Sequence, residues 1–161
     1  NHGISINLDG VVRSAHDMTT PSGNGTMIEV LARLYHHTGT EAYRAQADDL
    51  VRAFAGEVEQ NFFPLTSYLN GFDFLDRTVQ VAILGDPEAD DTLALLAAVE
   101  GASLPTKVVR VVASGETLPP GHPASGMTSI EGAATAYLCL GATCSLPMTR
   151  PEDLLNALPT P

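Results

Sequence analysis

Few residues in this chain are of a type that could do chemistry, and they are scattered. Cys139 and Cys144 are its two cysteines, spaced Cys-x-x-x-x-Cys rather than the redox spacing Cys-x-x-Cys. If the segments around them pair as two strands, the cysteines fall opposite each other. Opposed residues at a non-hydrogen-bonded position have Cα atoms about 4.5 Å apart, close enough for a disulfide or a reversible redox pair. The same two residues also read as small, buried, inert thiols, the usual state of free cysteine. A zinc site would need a further Cys or His pair at metal spacing, which the sequence does not show. No metal and no cofactor is expected.

The titratable groups give weaker patterns. His36 and His37 close a helical stretch, where cations complement the helix dipole. His2, His16 and His122 stand alone. His16 beside Asp17 could form an acid/base pair, but sequence neighbours often point apart and a general base must first show geometry. Asp17, Asp73 and Asp76 are carboxylates of the kind sugar-acting sites use in pairs. Each also reads as a cap or turn residue. Ser22 lies in a Ser-Gly-Asn context, not the Gly-x-Ser-x-Gly of a nucleophile elbow. Gly85 is followed by Asp86, Glu88, Asp90 and Asp91. One glycine is no phosphate cradle, and carboxylates at a helix start complement the dipole while repelling a pyrophosphate. A cation site built from the same run lacks a defined loop geometry.

The elements that must hold these groups change in kind along the chain. Pro21 to Thr26 is a turn-and-cap stretch. Thr26 with Glu29 fits a capping box, and Ser22 is the competing cap. Met27, Ile28, Leu31, Leu34 and Tyr35 then recur at helical spacing up to Gly39, a natural C-terminal stop. Thr40 opens a second helix with Tyr43, Ala47, Leu50, Val51, Phe54 and Val58 as its stripe. Together they predict an antiparallel helical hairpin. A third helix follows Pro64, weakened by Gly71. From Val79 to Leu84 the pattern becomes a buried strand ending at Gly85. Asp86 is the expected cap and Pro87 the first position of an apolar helix. Val108 to Ala113 is a second strand, so strand, helix and strand make a right-handed βαβ crossover. Residues 114–132 read as a long loop. Ala136 to Leu140 and Ser145 to Met148 read as a β-hairpin, and Pro151 to Leu158 as a last helix. The expected class is α+β: a helical hairpin segment over residues 1–75, then a small α/β domain over 76–161.

Three stretches carry a resemblance: Asp17 with Pro21-Ser22-Gly23-Asn24 before a helix, Val79 to Gly85, and Ala136-Tyr137-Leu138-Cys139 through Cys144-Ser145-Leu146-Pro147. Together they resemble the C-terminal region of the spermatogenesis-associated protein twenty-like family. That resemblance implies an N-terminal thioredoxin-like domain and an α/α-toroid similar to six-hairpin glycosidases and sugar epimerases, of which this chain would hold the final hairpin. It implies that Asp17, Ser22 and Asn24, as candidate catalytic residues, sit near the toroid's inner face. Asp17 and Asn24 would then orient sugar hydroxyls beside Tyr68 or Phe72. Gly25 stands where a serine is expected in many relatives. Fold analogy does not establish a reaction.

Composition bounds the partners. Net charge is −11, from 19 acidic and 8 basic residues. That sign repels phosphate backbones and anionic membranes. No apolar run reaches the roughly 20 residues of a membrane span, and no signal peptide is visible. The expectation is a cytoplasmic, structural or interaction-competent region of a larger protein, docked on the remainder of its parent or on a second copy. Part of a carbohydrate-active or carbohydrate-binding toroid is one alternative. A thiol redox module using Cys139 and Cys144 is the other.

Overall fold

A computed structural model describes residues 14–113, 115–119 and 121–159. The lead-in with Ile4, Ile6 and Leu8, and His2, lies outside the described residues. The chain is α+β: three helices, a four-stranded mixed sheet with one crossover helix, and a C-terminal helix.

The helices α1 (Gly23–Thr38), α2 (Glu41–Gln60) and α3 (Thr66–Arg77) come first. Ser22 caps α1, its hydroxyl accepting from Gly25 N at 2.9 Å. The Thr26–Glu29 capping box does not form. Thr26 is already inside the helix, its N–H donating to Ser22 O at 3.0 Å. Glu29 instead accepts from Arg33 one turn on. Gly39 takes the left-handed conformation, φ 66°, and its N–H closes the helix on Tyr35 O.

Helix α1 packs against both α2 and α3. Two glycines set the α1–α3 approach. A Cβ at Gly71 would lie 2.8 Å from Gly25 O, and one at Gly25 would lie 2.5 Å from Tyr68 N. Helix propensity makes Gly71 a weakness; packing makes it a requirement. Ile28, Leu31, Ala32, Ala47, Phe54, Leu65, Tyr68 and Phe74 form the core between the helices.

The sheet follows at once. β1 (Val79–Leu84) pairs in parallel with β2 (Lys107–Val112) through α4 (Asp90–Gly101). β3 (Thr135–Leu140) pairs antiparallel with the other side of β1, and β4 (Thr143–Cys144) extends β3, giving the order β2-β1-β3-β4. Two expectations shift here. Asp86 and Pro87 do not begin α4: Asp86 closes a turn, its carbonyl accepting from Ala89 N, and the helix starts at Asp90. The expected strand 145–148 is replaced by the two residues Thr143 and Cys144. Pairing resumes at Ala136 with Met148, one residue out of register, so the strand bulges just before it. Pro147, without an N–H, sits inside that break. α5 (Pro151–Ala157) ends the fold.

Both faces of the sheet are covered. Val81, Ile83 and Leu138 pack with Leu95 and Val99 of α4 and Leu154 of α5. Ala82, Tyr137 and Cys139 face the other way, under Leu118, Ala124 and Met127 of the long loop. Val108 of β2 joins the helical core. Lys107 closes α4, its ammonium donating to Val99 O, Glu100 O and Ala102 O at 2.8–3.0 Å. Gly85 lets α4 approach β3: a Cβ there would meet the Thr92 hydroxyl and lie 3.1 Å from Ala134 Cβ.

Candidate functional site

Asp17 is the best-connected carboxylate of the helical part. Its Oδ1 accepts from Ser22 N at 2.8 Å and from the Ser67 hydroxyl, and its Oδ2 accepts from Ser67 N at 2.8 Å. Leu65, at the N-cap of α3, has no side chain to cap with. Asp17 therefore caps α3 from 50 residues away. Desolvation pushes its carboxyl up, but the Ser67 hydroxyl and the N–H groups of Ser22, Ser67 and Thr66 outweigh that and hold it below the usual range.

Ser22 contributes a hydroxyl 3.1 Å from Ser67 Oγ. Asp17 and Ser22 thus meet, and Ser67, which the sequence did not single out, joins them. Asn24 faces elsewhere, donating to Ser14 O at 2.9 Å. The three residues knot the lead-in to the starts of two helices, and their polar groups are engaged inside the chain. Tyr68, the candidate stacking surface, is buried with its hydroxyl on Val51 O, while Phe72 is exposed. His16 faces Glu57 at 3.4 Å, not Asp17. Asp73 pairs with Arg77 at 3.3 Å on the far end of α3.

The carboxylates after Gly85 are also divided. Asp91 Oδ2 accepts from Ala134 N at 2.8 Å and its Oδ1 from Thr92 N, tying the first turn of α4 to the start of β3. The Ala134 N–H lowers its pKa, opposed by burial and helped by the Thr92 N–H and its own. Among the described residues no group of three or more His, Cys, Asp or Glu could hold a metal ion.

At the helix–sheet junction the reading of a terminal cation fails for His36. Burial first, and the Arg44 charge second, lower it to about 4, opposed by the nearby Gln80 side chain. It lines a small cavity of about 30 Å³ with Tyr35, Glu41, Gln80 and His122. His122 is lowered too, by burial and then by Arg110. Arg110 spans the junction, donating to His37 O at 3.1 Å and to Glu116 Oε1 at 2.6 Å.

In the sheet, Cys139 and Cys144 are joined as a disulfide between directly opposed residues of β3 and β4, Cα atoms 4.0 Å apart. They are not separate thiols. At the other end of the sheet a groove of about 670 Å³ opens, at the carboxyl ends of β1 and β2. Its walls include Leu84, Asp86, Glu116, Leu118, Ala124 and Met127.

Spermatogenesis-associated protein 20 of Homo sapiens is 30% identical over 152 residues, which are 91% of this chain and 19% of that protein. The proteins of the same name from Rattus norvegicus and Mus musculus give the same figures. The chain is homologous to one region of spermatogenesis-associated protein 20. It spans 19% of the length of these curated relatives. No family model matches the chain. No solved structure matches it either. The region shared with spermatogenesis-associated protein 20 is folded structure, since the match takes in most of a chain with three packed helices and a sheet. Among the described residues, no helix is long and apolar enough to cross a membrane.

Proposed function

We propose that this chain is a structural and docking region of a larger protein related to spermatogenesis-associated protein 20, with no catalysis of its own. Its helical part is the end of a larger helical array, an α/α-toroid, and packs on the helices that precede it there. The observation that carries this reading is the outer face of α1. Met27, Val30 and Leu34 are 47, 42 and 37% exposed. Their spacing of three and four places them in one stripe. A helix facing only water puts charged groups there. Apolar stripes of this kind occur where a second helix is laid against the first.

The carbohydrate alternative gains no comparable support. Asp17 and Ser22 hold backbone and Ser67, Asn24 holds Ser14 O, and Tyr68 is buried.

The test is co-purification. The remaining part of a full-length relative is expressed with this chain, either native or carrying Met27→Lys and Leu34→Lys. The native chain is expected to co-purify as a stoichiometric complex and the double variant to be lost. A native chain that remains a monodisperse monomer beside that partner would sink the reading.

A further inference from the structure

The disulfide lies opposite Gln80 near the start of β1, and the groove opens at the other end of the strand, beyond Leu84; one apolar cluster joins them. Cys139 is fully buried, and Cys144 is partly buried. The two belong to one apolar cluster with Ala82, Tyr137, Leu118, Ala124 and Met127. Leu118, Ala124 and Met127 also line the groove at the carboxyl ends of β1 and β2. The loop that supplies them is held by single turns, such as Ser125 N to His122 O and Met127 N to Ala124 O, and by the Tyr137 hydroxyl on Thr128 O at 2.7 Å. Among the described residues, it has no strand pairing between Gly115 and Ser129. Its shape therefore depends on what its apolar side chains rest against.

We propose that the Cys139–Cys144 disulfide is a dithiol-reducible latch that sets the shape of this groove. The bond closes a loop of sequence separation 5 across a hairpin that β3 already anchors. Cross-linking so short a loop constrains the unfolded chain least, so the bond acts locally rather than holding the whole fold. Attack comes at the less buried of the two cysteines. A thiolate of an external dithiol attacks Cys144 Sγ, forming a mixed disulfide and releasing Cys139 as thiolate. The second thiol of the reductant then attacks the mixed disulfide. Cys144 leaves as thiolate and the reductant closes into its own disulfide. Two electrons and two protons pass to the protein, giving two thiols. The unbonded sulfurs must move apart to van der Waals contact. Cys139 is enclosed in the sheet, so the displacement falls on Cys144 and on the loop packed over the pair. β4 has two residues to resist it, and the bulge before Met148 leaves Ser145 and Leu138 as the next tie.

The experiment is hydrogen exchange read by mass spectrometry on the whole chain, before and after dithiothreitol, with intact mass and alkylation in parallel. The oxidised chain is expected to be two mass units lighter than the reduced one and to resist alkylation. On reduction, amides within 115–129 are expected to exchange at least tenfold faster, with α1, α2 and α4 unchanged and the pattern restored on reoxidation. A Cys139→Ala, Cys144→Ala double variant is expected to show the fast pattern with or without dithiothreitol. Thiols that alkylate without reductant, a loop whose exchange ignores reduction, or acceleration spread through α1 to α3 would each overturn the proposal. Should the double variant not fold, the native chain's own response to dithiothreitol still decides it.

Discussion

The sheet and the helices of this chain meet the same requirement to bury apolar surface, and they meet it to different degrees. β1 is buried on both sides, under α4 and α5 on one face and under the long loop on the other. The α1–α3 group buries one side of α1 and leaves Met27, Val30 and Leu34 in water. Each part also uses one aspartate as a long-range clasp, Asp17 across 50 residues and Asp91 across 43. The sheet itself is thus covered on both faces, with Leu93, Leu140, Leu146 and Leu155 exposed around it, whereas the helical part leaves three apolar side chains in one stripe. The difference lies in what is left exposed, not in how well each core is packed.

The sharpest way to break the helical part is at its tightest approach. Gly25→Ala puts a Cβ against Tyr68 N and the Ser67 backbone, neither of which is the free end of a side chain. Separating α1 from α3 is expected to cost about 3 kcal/mol. Denaturant melts would show it, and the near-ultraviolet signal of the aromatic residues would shift with them. Gly56→Ala, where nothing lies within 4 Å, is the control on α2. It is expected to be neutral or slightly stabilising.

The junction between the parts should titrate. His36, at about 4, faces Arg44, Glu41, Gln80 and His122, and its neighbour His37 adds like charge. Its pKa in an unfolded chain is near the ordinary 6.5. Between about 4 and 6.5 the unfolded chain takes up a proton that the folded chain refuses, so stability rises with pH across that window. The contribution is complete above about 6.5 and lost as pH falls toward 4. Allowing for residual solvent screening it is on the order of 2 kcal/mol. His36→Gln is expected to flatten that limb of the stability–pH curve. A curve of unchanged slope would mean the junction is open to water.

Asp17 tests the clasp directly. Asp17→Ala removes the acceptor for Ser22 N, Ser67 N and the Ser67 hydroxyl. Loss of a helix cap of this kind costs about 1–2 kcal/mol. The native carboxyl is held low, so its contribution is present above its unfolded pKa and lost as pH falls through the lower folded value. The difference between native and variant chains should therefore shrink in strong acid, below the window of His36. An equal difference at all pH values would mean the charge plays no part.

What could be read from the residues follows the range of the interactions. Helix spacing from Met27 to Tyr35, the β-branched run Val79 to Leu84 and the stop at Gly39 are local signals, and each element stands where its pattern puts it. The errors arise where distant chain decides. Thr26 with Glu29 satisfies a capping box on paper, but Ser22 is fixed by Asp17 and Ser67, and Ser67 is 45 residues away. Ser67 carried one faint signal, a Thr-Ser helix start after Pro64 with no good cap at Leu65. Opposition of Cys139 and Cys144 was legible from the hairpin; whether the sulfurs bond was not, because that depends on register at a two-residue strand. The groove was invisible, since residues 114–132 show only the composition of a loop.

The smallest effect is the one that separates the two parts most cleanly. Met27→Ser, Val30→Ser and Leu34→Ser together alter three side chains that are 37–47% exposed. Serine lowers helix propensity by a few tenths of a kcal/mol per residue at most, and partly exposed apolar groups contribute little to the chain's own core. The isolated chain should lose no more than about 1 kcal/mol for each residue changed. Its mass by light scattering, if the native chain self-associates, should fall to that of a monomer. Changing the matched positions Val81→Ser or Ile83→Ser in β1, buried on both sides, should instead unfold the sheet. If the α1 triple variant melted like those, the stripe would belong to the core of this chain, and the open face would not be open.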